Sequence, residues 1–318
     1  MIPKKTKEIL EKQHYALVGG HSAVQICRWA KKSLTNTDIC YKEKFYGIPC
    51  HCCCQMSPAV MWCQNSCLHC WRAIELTIGQ KIKRIDEPKE IIDGCIEAQR
   101  KLLSGFGGNK LVYKEKFKQA QNPKQFAISL SGEPTIYHKI GALIAELRKR
   151  KITSFLVTNG LFPEKLLELK KNKQLPTQLY LSLNTPNENL YNKWHRSKLK
   201  NAWKVFNQSL EIFPKLPTRK VIRMTLVRDI NMIEPENYAK LIKKAQPDFV
   251  EVKGFMSVGF ARQRLGYERM PSHNEIKQFA KLMLKYLPGH NLLDEKIESR
   301  VVLLGKSKAR MKINEREI

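Results

Sequence analysis

Residues 58–71 read PAVMWCQNSCLHCW, a short apolar run that delivers three cysteines, Cys63, Cys67 and Cys70, in the spacing C-x3-C-x2-C. A structural zinc site is closed by four ligands. The nearby candidate, His69, lies between Cys67 and Cys70, too tight in the loop to complete a tetrahedron easily. Three thiolates suit a cube-shaped 4Fe–4S cluster instead. Three irons take one cysteine each, and the fourth keeps an open position for a substrate. Of the ten cysteines, nine fall between Cys27 and Cys70 and the tenth is Cys95. Such bunching points to metal or redox chemistry rather than a disulfide framework.

Downstream of this loop the sequence acquires a rhythm. QFAISLSGEP (125–134), ITSFLVTNG (152–160), TQLYLSLNTP (177–186), RKVIRMTLVRDIN (219–231) and DFVEVKGFMS (248–257) read as strands ending in turns. Between them, stretches such as YHKIGALIAELRKRK (137–151) and PENYAKLIKKA (235–245) carry apolar residues at helical spacing. With PAVMWC as the first strand, this makes six strands alternating with helices, hence right-handed crossovers and a parallel sheet. Polar residues sit at nearly every strand's C-terminal edge: Cys63, Ser131 to Glu133, Thr158 to Gly160, Ser182 and Asn184, Arg228 to Asn231, and Lys253. A barrel collects active-site groups on that face, whereas an open sheet uses its switch point. The expected fold is therefore α/β, a partial (β/α)6 TIM-type barrel over residues 56–290. An irregular cysteine-rich extension is expected at 1–55, held by a ligand rather than a core. Residues 291–318 read as a basic tail with one short apolar run.

The chain has 318 residues, 42% of them hydrophobic, and a formal net charge of +28. No apolar run approaches the roughly 18 residues of a membrane span, and no secretory h-region follows the N-terminal lysines. A cytoplasmic protein with no membrane contact is expected. The excess of basic residues points to a polyanionic partner, nucleic acid first.

The cysteine loop at the end of a β/α-barrel strand resembles the radical S-adenosylmethionine superfamily. That resemblance implies that the open iron chelates the amino and carboxylate groups of S-adenosylmethionine. An electron from the cluster then releases a 5′-deoxyadenosyl radical. SGEP (131–134) matches the family's Gly-Gly-Glu element, which implies that Gly132 and Glu133 meet the methionine amino group. By the same resemblance Ser182 and Asn184 contact the ribose, Arg223 and Thr225 reach the carboxylate, His69 touches adenine, and Asn159 joins the cofactor-binding set.

A second triplet, Cys27, Cys40 and Cys53, is spaced C-x12-C-x12-C, suited to another cluster with an open iron. CHCCC (50–54) leaves Cys50, Cys52, Cys53 and Cys54 as rivals for its third place, with equal spacing favouring Cys53, and one of the extra thiols could join His51 on zinc. GGHSAVQICRWAKKSL (19–34), CYKEKFYGI (40–48), MWCQNSCLHCWR (61–72) and SGEPTIY (131–137) are together similar to the tRNA 4-demethylwyosine synthases, over residues 20–270. The resemblance implies the short archaeal type without a flavodoxin-like domain, fed by an external electron-donor protein. A monomer is expected, since nothing in the sequence calls for more. It implies a radical carbon–carbon lyase that condenses N1-methylguanosine of tRNA(Phe), beside the anticodon, with pyruvate. Lys42 is the candidate catalytic residue, either as a Schiff base to pyruvate or as charge partner to pyruvate on the second cluster. Phosphate contacts are expected from Lys193, His195, Arg196, Lys198 and Lys200, with Tyr191 and Trp194 for stacking, and from Arg262, Arg264 and Arg269. Two other readings stay open: an RNA methylthio- or methyltransferase of the same superfamily, and a zinc-holding RNA-binding module without chemistry.

Overall fold

The computed structural model describes residues 1–314 and 317. Among them, ten strands form one sheet: β1 (Ala16–Val18), β2 (Ser22–Gln25), β3 (Cys53–Ser57), β4 (Gln125–Ile128), β5 (Thr153–Thr158), β6 (Gln178–Ser182), β7 (Arg219–Leu226), β8 (Phe249–Gly254), β9 (Asn291–Lys296) and β10 (Val301–Gly305). Their order is β1-β2-β3-β4-β5-β6-β7-β8-β10-β9. From β3 to β8 every pairing is parallel, and helices cover the outer face. This is the six-unit β/α curl expected from the alternation.

Three expectations need correction. The first barrel strand is CCQMS, not PAVMWC. Pro58 has no N–H to give a ladder, and residues 58–62 turn instead, closed by Trp62 N donating to Ala59 O at 3.0 Å. The extension at 1–55 is not irregular: β1 and β2 add antiparallel strands to the sheet, and the expected boundary at residue 55 falls inside β3. Residues 291–305 are not a tail. β10 pairs antiparallel with β8 and β9 with β10, because the VVLL run of β10 is buried on both faces and so reads as an interior strand.

Side-chain alternation divides the core. The outward residues of the barrel strands, Met56, Phe126, Leu156, Leu179, Ile222 and Val250 among them, meet the helices. The inward residues Phe155, Tyr180, Val221, Phe249, Val301 and Leu303 form a second cluster with Tyr41, Phe45 and Tyr46. Those three aromatics come from the short helix Tyr41–Tyr46. A piece of the N-terminal extension therefore plugs the barrel. Each of the three rings is at most 4% exposed, and burial of one such side chain contributes about 1.5–3 kcal/mol. Register sets the interior in rows: Ser182, Arg223, Glu251 and Leu303 lie abreast on β6, β7, β8 and β10, with Thr225, Lys253 and Val301 in the next row.

Candidate active site

The thiolate loop is held from three sides. From the segment after β6, Ser66 N donates to His195 O at 2.9 Å, Leu68 N to Trp194 O at 3.2 Å, and Lys198 N to Gln64 O at 2.9 Å. From beyond β8, Arg264 donates to the carbonyls of Leu68 at 3.1 Å and Arg72 at 3.2 Å, and to that of Cys70. From within, Arg72, 3% exposed, donates to Asn65 O at 3.0 Å. Burial pushes the Cys63 thiol up to about 11. Burial, and then the neighbouring Cys63 and Cys70, push Cys67 up further. Three thiols in mutual electrostatic reach, with buried Arg72 as counter-charge, form a donor set that a cationic metal cluster would deprotonate.

The polar atoms around the loop fit such a group. Gln64 Nε2, His69 Nδ1, Trp194 Nε1 and His195 Nε2 are buried with no hydrogen-bond partner among the described residues, an arrangement native proteins rarely leave. Acceptor-rich sulfide and a bound carboxylate would answer them.

Several expected RNA contacts are structural instead. Trp194 and Tyr191 are 2% exposed, and Trp194 stacks on His69 with centroids 5.5 Å apart. His195 is not a surface cation: its Nδ1 lies 3.0 Å from Cys67 Sγ, and burial brings it down to about 3, leaving a neutral ring. Burial likewise takes His69 to about 4. Arg264 is spent on the loop carbonyls, and Arg269 pairs with Asp229 at 3.1 Å. Lys193, Arg196, Lys198, Lys200 and Arg262 are exposed.

At the strand ends, Gly132 has φ +72°, and a Cβ there would collide with the Ala59 carbonyl oxygen. Only glycine serves such a turn, at close backbone approach. The turn lets Glu133 N donate to Trp62 O at 2.8 Å, tying β4 to the root of the cysteine loop. Glu133 itself is 2% exposed. Its carboxylate accepts from Thr135 N (3.1 Å), Thr135 Oγ1 (2.6 Å), Thr158 Oγ1 (2.8 Å) and Asn159 N (2.7 Å). Glu133 therefore braces two strand ends; the sequence resemblance had given it the methionine amino group. Asn159 bridges to the loop, donating to Gln64 Oε1 at 3.2 Å and, more weakly, to Cys63 Sγ at 3.9 Å. Asn184 accepts from Thr225 N at 2.9 Å and so locks β6 to β7. Ser182 and Arg223 face each other across that pair, both half-buried.

The residues of the second triplet lie within mutual electrostatic reach. Cys27 and Cys40 each precede a helix, Arg28–Leu34 and Tyr41–Tyr46, and Cys53 opens β3 on its inward face. Electrostatically, Cys40 feels Cys27 and Cys53, and burial pushes both Cys40 and Cys53 up to about 12. Two of the rivals go elsewhere. Alternation turns Cys54 outward into the helix-facing core with Cys95. Cys52 neighbours Glu43 and Lys124. Cys50 stays beside the triplet: its Sγ accepts from Cys40 N at 3.3 Å and donates to Trp29 O at 3.5 Å, and Cys53 feels it electrostatically. His51 is no zinc ligand, since its two nitrogens meet Ser33 Oγ at 3.2 Å and Gln119 Oε1 at 2.8 Å.

Lys42 projects from the plugging helix into this interior. Its Nζ lies 4.8 Å from the Tyr180 ring centroid and 5.2 Å from that of Phe155. Burial and then Arg223 lower its pKa, against Glu251, Cys40 and Cys53. Beside it stands a group the sequence did not single out. Glu251, 0% exposed, accepts from Tyr46 OH at 2.8 Å and Tyr41 OH at 3.0 Å, fastening the Lys42 helix to β8. Its signal was a lone carboxylate in the apolar strand FVEVKG. Lys253, two residues on, donates to Ser299 O at 2.8 Å, and burial brings it down to about 8.

A six-unit β/α barrel whose first strand feeds a three-thiolate loop defines a radical S-adenosylmethionine enzyme, and residues 58–242 match the Radical SAM superfamily. Residues 244–306 match a second family, described as wyosine base formation. The S-adenosyl-L-methionine-dependent tRNA 4-demethylwyosine synthase of Pyrococcus horikoshii is 48% identical over 304 residues, 95% of this chain and 89% of that protein. The chain belongs to the tRNA 4-demethylwyosine synthase family. Two solved structures are similar throughout. One, described as TYW1 with a lysine-pyruvate adduct bound, has a TM-score of 0.87 at 35% identity and covers 99% of both chains. The other, an archaeal TYW1, has a TM-score of 0.80 at 32% identity, over 98% of this chain and 100% of that one. No helix among the described residues is long and apolar enough to cross a membrane.

Proposed function

We propose that this chain builds 4-demethylwyosine from N1-methylguanosine beside the anticodon of tRNA(Phe), taking two carbons from pyruvate. The observation that carries the reading is the position of Lys42, inside the barrel, among the inward rows and beside the triplet Cys27, Cys40 and Cys53. A similar protein's structure holds a lysine-pyruvate adduct. Cys63, Cys67 and Cys70 would hold one 4Fe–4S cluster, and Cys27, Cys40 and Cys53 a second, with electrons from an external carrier. When bound, the loop cluster with S-adenosylmethionine supplies a carbon radical strong enough to take hydrogen from the N1-methyl group, a C–H bond no base in this chain can ionise.

The chain's own residues do the rest. Gly132, Glu133 and Asn159 set the loop against β4 and β5, and Ser182, Asn184 and His69 shape the nucleoside side. Lys42 condenses with the pyruvate ketone, losing water, and so holds the carbonyl carbon where the substrate's methylene can join it before the carboxylate carbon departs. The alternative keeps pyruvate on the second cluster with Lys42 as charge partner. The adduct is favoured because the Lys42 amine makes no hydrogen bond among the described residues. Burial, and then Arg223, lower its pKa, which favours the neutral amine that condensation needs. Exposed Lys193, Arg196, Lys198, Lys200 and Arg262 would take phosphates.

Borohydride treatment of the loaded protein with labelled pyruvate should leave the label on the Lys42 peptide. Lys42→Gln should lose both the label and the wyosine product. Full turnover by Lys42→Gln would remove the residue from the mechanism.

A further inference from the structure

Arginine carries five N–H donors on a planar, permanently charged fork. Leaving that fork inside a protein without acceptors is costly. Arg223 is half-buried on the inward face of β7, abreast of Ser182 and Glu251. None of its donors finds a hydrogen-bond acceptor among the described residues. Glu251 does not supply one, because its two oxygens accept from Tyr41 and Tyr46. The groups that Arg223 feels most strongly are Tyr41, Glu251, Tyr180 and Cys40, all around Lys42. His69 of the thiolate loop feels it too, after burial and Arg264. Lys42 and Arg223 thus present two basic groups without acceptors to one space, while Lys253, the third, is already tied to Ser299 O.

We propose that Arg223 is the carboxylate clamp for the α-keto acid. The fork takes both carboxylate oxygens, which leaves the adjacent keto carbon for the Lys42 amine. This rests on the pyruvate reading above and reassigns Arg223 from the carboxylate of S-adenosylmethionine, where the sequence resemblance put it. A bidentate fork matches a free carboxylate and loses one partner oxygen on an ester. The clamp therefore makes the site specific for α-keto acids over their esters.

The test compares wild type, Arg223→Gln and Arg223→Lys, each loaded with iron and sulfide, on methylated tRNA with either pyruvate or methyl pyruvate. Wild type should strongly prefer pyruvate. Arg223→Gln should raise the pyruvate KM by roughly 30-fold or more, as for one partner removed from a buried charged pair. The preference over methyl pyruvate should collapse, while S-adenosylmethionine affinity stays within about twofold. Arg223→Lys should recover part of the KM but little of the discrimination, and it serves in place of the glutamine variant if that protein does not fold. An unchanged pyruvate KM, or a loss that falls on S-adenosylmethionine affinity, overturns the clamp. If wild type traps pyruvate on Lys42 while the Arg223 variants keep their KM, the clamp alone fails. If wild type consumes no pyruvate, the underlying reading fails and takes the clamp with it.

Discussion

Replacing Gly132 by alanine tests how the cysteine loop is aimed. The backbone there has φ +72°, and the new Cβ would collide with Ala59 O while lying 2.8 Å from Trp62 O. Holding an L-residue in the left-handed region costs about 1–2 kcal/mol. The collision adds an overpacking cost of about 1–3 kcal/mol, because both neighbours are backbone oxygens that no rotamer change can move. The expected loss is about 2–5 kcal/mol, which for a chain of this size lowers Tm by on the order of 3–7 °C. The function should suffer more than the fold. Relief of the clash pulls Glu133 N from Trp62 O, and with it the root of Cys63. A displacement of about 1 Å in a reacting group costs about 100-fold in rate. Thermal melts, iron and sulfide analysis, and 5′-deoxyadenosine release would be measured on Gly132→Ala beside Gly108→Ala. Gly108 has open space around its Cβ position and should tolerate the change. If Gly132→Ala melts with wild type and releases 5′-deoxyadenosine at the same rate, the described coupling between this turn and the loop is wrong.

Two further outcomes are expected. Cys53→Ser should cut iron content by about half, from about eight atoms per chain to about four. Cys54→Ser should keep it, because alternation turns that thiol into the helix-facing core; equal losses from both would refute the inward placement of Cys53. Removing Lys193, Arg196 and Lys198 together, as alanines, should weaken tRNA binding and lower the slope of log affinity against log salt by about 2. An unaltered slope would take this surface out of the RNA interface.

Much of this protein was legible as local pattern. The C-x3-C-x2-C loop, the helix–strand alternation and the polar strand ends are short-range features, and each follows from spacing and periodicity. The misreadings came where the same local pattern has two tertiary outcomes. PAVMWC is as apolar as a strand, but Pro58 and the pairing of CCQMS with β4 moved the strand upstream. Trp194, Tyr191 and His195 sit in a basic segment that looked like an RNA surface, yet they are buried because the cysteine loop packs on them. VVLL was too short to announce a strand on its own and became one by pairing with β8.

Sequence by itself determined the chemistry on offer: which thiols come in threes, how far apart they lie, and that the chain is strongly basic. Only the tertiary structure decided the partners. It set Cys53 apart from Cys54 through the two-residue alternation of β3, which turns Cys54 into the helix-facing core. It brought Lys42 to Arg223 by fastening Tyr41 and Tyr46 to Glu251, more than 200 residues away along the chain. Contacts at that separation leave no trace in local spacing, since each end satisfies its own periodicity whether or not the other is near.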